Sequence, residues 1–345
     1  MILVIAEKPS VAQSIAKVLG ATSRKDGYME GGNYIVSWCF GHLVELADAS
    51  SYDERYAKWR YDDLPIVPES WMFEVTKDKA QQFKVLSSLM KDKRVTELVC
   101  ATDAGREGEL IFRLVYNKAG CTKPFKRLWI SSLEDSAIRE GFNHLRDGKE
   151  YDRLYEAALS RSKADWIVGI NGTRLFTTLY HKKLVVGRVQ TPTLAMLVER
   201  DGKISTFQKE KYFNVHVGKG DLTADLEKVK TEEEAKKIAA ACEKKQAVVS
   251  SLKWETKTVN PPKLYDLTTL QREANRYYGF TAQQTLDLVQ TLYEKKLLTY
   301  PRTDSQFITD DMEDTARQVI SIVCRQLPLF SGVSATLDIA RVTDN

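Results

Sequence analysis

Histidine and cysteine are scarce in this sequence, at four and five of 345 residues, and neither type is clustered. Cys39, Cys100, Cys121, Cys242 and Cys324 lie far apart with no CxxC pair, so neither a zinc ribbon nor a disulfide framework is indicated. An odd cysteine count without a signal peptide fits a reducing cytosol, and the expected location is cytoplasmic. His42, His144, His181 and His216 have no metal-ligand spacing and read as structural. Long apolar runs are missing too. Residues 1–5 run into Glu7 and Lys8, and no stretch nears the ~20 apolar residues that span a membrane. No GxGxxG occurs, and Gly141 and Gly148-Lys149 fail Walker A spacing, so no nucleotide cofactor is expected. Charge of one sign is lacking as well: 51 basic against 47 acidic residues leave only +4. A nucleic-acid partner would have to meet a local basic groove rather than a basic molecule.

What is present is the composition of a soluble globular chain, 43% hydrophobic and 28% charged. Its length allows about two to four domains. Ile2-Leu3-Val4-Ile5-Ala6 reads as a buried parallel strand. It runs through Glu7-Lys8-Pro9-Ser10 into a helix with Val11, Ile15, Val18 and Leu19 on one face, and Pro9 suits the helix entry. A second strand, Glu97-Leu98-Val99-Cys100-Ala101-Thr102, leads through Asp103-Ala104-Gly105-Arg106-Glu107-Gly108-Glu109 into a helix expected to start near Glu109. Two such units argue for an α/β domain with a mostly parallel sheet over residues 1–150. From Tyr151 the pattern turns helical, with Leu154, Ala158, Trp166, Ile170 and Leu175 at helical spacing. A loop over 182–190 leads to a helix near Thr191-Pro192. Residues 211–226 alternate like a strand, a charged helix covers 231–245, and another strand is expected over 247–254. After Pro261-Pro262, two helices over 266–278 and 281–295 lead to an extended segment around Tyr300.

In open α/β sheets chemistry collects at the carboxyl ends of strands, where Glu7 and Asp103 both fall. Carboxylates there, without a histidine cluster, describe a hard oxygen site suited to Mg2+. Glu107, across the glycine-bearing turn from Asp103, can face the same pocket. The plainer reading is that Asp103 and Glu107 favour the helix dipole, and that Lys8 and Glu7 form a surface pair. Lys8 beside Glu7 also supplies the cation that phosphate chemistry needs.

Leu298-Thr299-Tyr300-Pro301-Arg302-Thr303-Asp304-Ser305 is the most specific motif. One tyrosine among fifteen is ordinarily a packing residue. Here Pro301 stiffens the segment, and Arg302 is close enough to bind a phosphate that Tyr300 attacks. A phenol with a free pKa of about 10 needs a cation or base nearby to act as a nucleophile. Val186-Gly187-Arg188-Val189-Gln190-Thr191-Pro192 places a glycine and an arginine ahead of a helix N-terminus, a phosphate-binding arrangement or a plain helix-entry turn. Arg161, Lys163 and Arg174 lie on the preceding helical segment. Arg161 is the best candidate among them for a backbone contact, with a solvated basic face as the alternative.

The two acidic segments resemble the motifs of a Toprim domain, and with the tyrosine segment they resemble the type IA DNA topoisomerases. The context, including Gly41-His42-Leu43-Val44-Glu45-Leu46 and Lys58-Trp59 through Pro68, is similar to bacterial topoisomerase III. One departure matters: Gly105 occupies the middle acid of the Asp-x-Asp-x-Glu pattern, which removes one carboxylate and leaves open whether two ions bind. The resemblance implies a Toprim domain (1–150), part of a helical DNA-binding domain (151–210), part of a β-rich arch (211–262), and part of a helical, winged-helix-like tyrosine domain (263–345). The family's full-length enzymes are ring-forming. It implies cleavage of single-stranded DNA through a 5′-phosphotyrosine at Tyr300, with strand passage and ATP-independent resealing that serve relaxation or decatenation. Glu7, Lys8 and Arg302 would join Tyr300 in catalysis, and Glu7, Asp103 and Glu107 would hold Mg2+. Arg161, Gly187, Arg188, Val189, Gln190, Thr191 and Arg302 would contact DNA, and the enzyme would be associated with the nucleoid. The family continues well past the tyrosine domain, so this sequence is expected to be the N-terminal part of a longer enzyme, able to bind and cleave single strands but not to pass one. The alternatives are a Toprim nuclease or primase-like enzyme, which has no need of Tyr300-Pro301-Arg302, and a non-catalytic single-strand-binding module.

Overall fold

The computed structural model describes residues 1–130, 133–295, 297–308, 312–330, 332–333 and 336–343. They divide into two units, Met1–Arg188 with Pro262–Asn345, and the inserted Val189–Pro261. The division follows contacts. The long α6 (Asp152–Tyr180) packs along α4 (Arg106–Lys118) and stays with the first unit.

In the first unit the apolar run at the N-terminus forms β1 (Ile2–Ala6), the middle of a seven-stranded sheet. It pairs in parallel with β4 (Tyr34–Trp38) on one side and β7 (Glu97–Ala101) on the other. β2 (Ser23–Lys25), β3 (Tyr28–Gly31), β8 (Phe125–Arg127) and β9 (Arg146–Asp147) complete the order β2-β3-β4-β1-β7-β8-β9. The centre, β4-β1-β7-β8, is parallel, and the antiparallel pairs lie towards the two edges. A separate antiparallel pair joins β5 (Val44–Leu46) to β6 (Phe73–Val75).

Alternation along β1 feeds two cores. Leu3 and Ile5 pack with Leu86 of α3 (Ala80–Lys91) and Leu110 and Phe112 of α4, while Val4 and Ala6 pack with Val11 and Ile15 of α1 (Pro9–Leu19) and Ile138 of α5 (Asp135–Asn143). A strand buried on both faces has to read as a continuous apolar run, as this one does. Each large aliphatic side chain buried this way contributes roughly 1.5–3 kcal/mol. The short α2 (Ala49–Tyr52) begins a segment that α6 holds at several points. Asn171 clamps Ile66, accepting from its N–H at 2.6 Å and donating to its carbonyl at 2.8 Å; Trp166 donates to the Ala47 carbonyl and Arg174 to that of Tyr56. Arg174 is buried and spent on this clamp, so it is not part of a solvated basic face.

The same unit ends with α9 (Leu267–Tyr278), α10 (Ala282–Glu294) and α11 (Glu313–Gln326). Asp266 and Thr281 cap α9 and α10 by accepting the N–H of Thr269 and Gln284, so both helices begin where their polar starts predict.

The second unit holds α7 (Gln190–Ser205), β10 (His216–Lys219), β11 (Leu222–Asp225) and α8 (Glu232–Cys242). The strand expected over 211–226 is a hairpin instead, because Gly220 takes φ 58° and turns the chain back. The strand expected over 247–254 does not form. Val248, Val249, Leu252 and Trp254 are all more than 70% exposed there, and apolar alternation without a neighbouring strand to pair with does not hold a strand. The helix expected near Glu109 starts three residues earlier, at Arg106, with Gly105 as its cap residue.

Candidate active site

β1 and β7 are parallel neighbours in register, Ala6 opposite Ala101, so the residues after each strand emerge side by side. The Asp103 N–H donates to Glu7 Oε2 at 3.2 Å, which joins the two strand-end acids directly. The turn after β7 is drawn tight against α4: Thr102 donates its hydroxyl to the Gly108 carbonyl at 2.8 Å. A side chain at position 108 would put its Cβ 2.1 Å from the Asp103 carbonyl oxygen, so only glycine fits this approach.

Burial pushes the Glu7 carboxyl up to about 7, and the Asp103 carboxylate adds to the rise. The Asp103 N–H and the charges of Lys8 and Arg302 offset only part of it. At neutral pH Glu7 is therefore divided between its acid and its carboxylate, a state suited to moving protons.

Tyr300 arrives from far along the chain, and its hydroxyl donates to Asp103 Oδ2 at 2.6 Å. Its segment is extended and anchored beside α9, where Leu267 N–H donates to Thr303 O and Gln306 donates to Asp266. The Tyr293 ring, from the last turn of α10, meets the Tyr300 ring edge-on at 5.4 Å. Burial, followed by the hydrogen bond to Asp103 and the Asp103 and Glu7 charges, holds the phenol well above its ordinary range, and Arg302 opposes this. The phenol thus keeps its proton at neutral pH. Asp103, Tyr293, Tyr300, Arg302 and Asp304 line a cavity of about 390 Å3 at this point.

Tyr300, Glu7, Asp103, Lys8 and Arg302 are therefore brought together. Glu107 is not equally placed. It lies in the first turn of α4 with its Oε2 3.6 Å from His42 Nε2, a partner that its sequence neighbours do not reveal. Arg188 is held by Asp165 through two contacts, Nε–Oδ1 at 2.7 Å and Nη2–Oδ2 at 3.2 Å, and that hydrogen bond keeps the Asp165 carboxyl below its usual range. Arg161, one helical turn before Asp165, acts on the same carboxylate. Gly187 and Arg188 end the first of the two segments that make up the first unit, while Val189, Gln190 and Thr191 open the second unit at the start of α7.

Two adjacent carboxylates, one of them kept partly protonated by burial and by its neighbour's charge, fit a hard divalent cation. Mg2+ is commonly bound by one or two carboxylates plus substrate phosphate oxygens. Glu7 and Asp103 would supply that pair, with Glu107, beside His42, as the third candidate carboxylate. Among the described residues, no three of His, Cys, Asp and Glu are grouped as a metal site.

Two residues of structural weight escape a reading of the sequence. Glu109 and Arg127 are both fully buried and face each other at 3.1 Å, directly behind the Asp103 turn. Glu109 carries a faint signal, two residues beyond Glu107 in an acidic motif; Arg127, in Phe125-Lys126-Arg127, carries none in its neighbours.

A sheet of this order with paired acids at the ends of its central strands defines a Toprim fold, and the Toprim domain family matches residues 2–133. Toprim domains of topoisomerases generally bind Mg2+. The DNA topoisomerase family matches residues 149–341, more than half of the chain, and the protein belongs to the type IA DNA topoisomerases. It is 46% identical over 323 residues to DNA topoisomerase 3 of Bacillus licheniformis, a match covering 91% of this chain and 44% of that protein. It is 47% identical over 320 residues to DNA topoisomerase 3 of Staphylococcus haemolyticus, covering 92% of this chain and 45% of the relative. The chain thus spans less than half the length of these curated relatives. The solved structure of full-length topoisomerase I from Thermotoga maritima superposes with a TM-score of 0.67 at 27% identity, covering 93% of this chain and 52% of that one. Among the described residues no helix is long and apolar enough to cross a membrane.

Proposed function

We propose that this chain performs the strand-cleavage and resealing step of a type IA DNA topoisomerase on single-stranded DNA. The observation that carries the reading is the 2.6 Å hydrogen bond from the Tyr300 hydroxyl to Asp103, beside Glu7. Tyr300 Oη attacks a backbone phosphorus and gives its proton to the Asp103 carboxylate. The Oη–P bond forms as the P–O3′ bond breaks, and Glu7 in its acid form delivers a proton to the departing O3′. The products are a 5′-phosphotyrosine and a free 3′-hydroxyl. One phosphate ester replaces another, so the reverse step reseals the strand without a nucleotide. Lys8 and Arg302 bear positive charge toward the phosphate as negative charge develops on it. The ionised member of this pair, Asp103 before the proton transfers and Glu7 after them, would hold Mg2+, which supplies further positive charge. The backbone of the substrate would run past Arg161, Gly187, Arg188, Val189, Gln190 and Thr191. In a protein of the relatives' full length, the same step would open a strand for passage, and so for relaxation or decatenation.

The test is a single-stranded oligonucleotide labelled at its 3′ end, incubated with the protein and Mg2+ and run on a denaturing gel. The label should travel with protein, and Tyr300→Phe, which removes one oxygen, should abolish the adduct while leaving the Kd for DNA within about twofold. An adduct that survives Tyr300→Phe refutes the assignment of the nucleophile, and free cut ends without adduct point to a nuclease.

A further inference from the structure

Three separate groups of residue 103 are engaged. Its N–H donates to Glu7, its carboxylate accepts from Tyr300, and its carbonyl accepts from Arg127 Nη2 at 2.6 Å. Arg127 lies at the end of β8, wholly buried, and its Nη1 also donates to the carbonyls of Cys100 at 3.1 Å, Thr102 at 2.7 Å and Leu128 at 2.8 Å. β8 pairs with β7 only as far as Cys100, so the carbonyls of Thr102 and Asp103 lie beyond the sheet's own ladder. A buried carbonyl without a donor is costly, and a turn built from two of them would shift to find water. The charge of Arg127 is met inside the protein: Nε faces Glu109 Oε2 at 3.1 Å, an ion pair without hydrogen-bond geometry, and Glu109 Oε1 also accepts from Arg113. The charges of Asp103, Lys8 and Arg302 are the main ones acting on Glu7.

We infer that Arg127 is the positioning residue of this site: it fixes the strand-end turn so that the one residue between Glu7 and Tyr300 holds both in register. Its contribution is geometry: its guanidinium holds the turn's carbonyls while its charge faces Glu109. The planar fork of guanidinium donors is what allows one side chain to reach four carbonyls, and an ammonium cannot do this. The inference rests on the proposed reaction for its catalytic consequence, but not for the geometry itself.

The test uses the whole 345-residue chain. Arg127→Lys keeps the charge against Glu109 and loses the fork. Arg127→Gln combined with Glu109→Gln removes both buried charges together, so that neither is left uncompensated. Single-turnover adduct formation and oligonucleotide Kd are measured beside amide hydrogen exchange of peptides covering residues 98–108. In both variants the adduct rate should fall roughly 10- to 100-fold, the loss expected of a small misplacement of reacting groups. The Kd should stay within about twofold, and exchange should quicken at residues 101–105 while β1 and β4 keep their protection. Unchanged rate with unchanged exchange overturns the inference. Exchange that rises equally across the sheet also overturns it, because it marks a residue with only a structural role, as does a loss expressed wholly in Kd. If the unsubstituted chain forms no adduct, the proposed reaction fails on its own, and the exchange pattern alone decides whether Arg127 positions the turn.

Discussion

Replacing Glu7 by glutamine should stabilise the protein above neutral pH and leave it unchanged in acid. The folded protein holds the Glu7 carboxyl at about 7, against 4.5 for the ordinary group, chiefly because it is buried. Between those values the native state keeps a proton that the unfolded chain has released, so stability falls as pH rises. At about 1.36 kcal/mol per pH unit, moving from 4.5 to 7 costs about 3 kcal/mol once the group is fully ionised. Glu7 is only partly enclosed, and water relaxing around it reduces this, so the measured effect should be about 1–3 kcal/mol. Glutamine has the same shape, still accepts from the Asp103 N–H, and does not titrate. Urea unfolding from pH 4 to 8.5 in the presence of chelator gives the two stability curves, and groups common to both cancel in their difference. That difference should be absent below about pH 4.5, grow through the interval, and level off above about 7. A difference that is flat, or that grows towards acid, would refute the claim that burial strains this carboxylate.

Other perturbations probe the remaining parts. Gly105 is in extended backbone, φ 178°, and an added Cβ would meet nothing within 4 Å, so Gly105→Asp should fold normally and tighten Mg2+ by roughly tenfold; calorimetric titration showing no change would count against a cation at Asp103. Arg188→Ala should weaken single-strand binding and reduce the salt slope by about 0.7, and an unaltered slope would move the DNA path away from the loop. Asn171→Ala strips the amide and carbonyl of Ile66 of their shared partner and should cost about 1–3 kcal/mol in urea unfolding; a loss near zero would mean that water replaces the clamp.

The parts of this structure that a reader of the sequence can find are those encoded locally. β1, α1, α9 and α10 announce themselves through apolar runs, Pro9, and the capping residues Asp266 and Thr281, all of which act within a few residues of where they stand. Glu7 and Asp103 could be placed together because two strand–turn–helix units imply two neighbouring strand ends. The strand over 247–254 could not be judged, since a strand depends on a neighbour that its own residues do not specify. The attachment of Glu107 to His42, of Arg188 to Asp165 and of Arg127 to Glu109 was hidden for the same reason: each partner lies between 18 and 65 residues away, at a distance set by packing. Among these, Arg127 gave the least warning, because a buried arginine and an exposed one look alike when only the neighbouring residue types are known.

The bond between Tyr300 and Asp103 closes a loop of 197 residues, and the second unit lies wholly within that loop. A ribosome adding ~5–20 residues each second would release the acid pair roughly 10–40 s before Tyr300. If Tyr300 is the proposed nucleophile, a nascent chain has no means of breaking a strand during that interval, and the blade is fitted last. The same long detour makes the insertion forgiving in evolution. Doubling the length of a loop costs only ~0.6 kcal/mol of closure entropy, so residues 189–261 can lengthen, shorten or acquire new surfaces at a fraction of the cost of moving a single carbonyl behind Asp103.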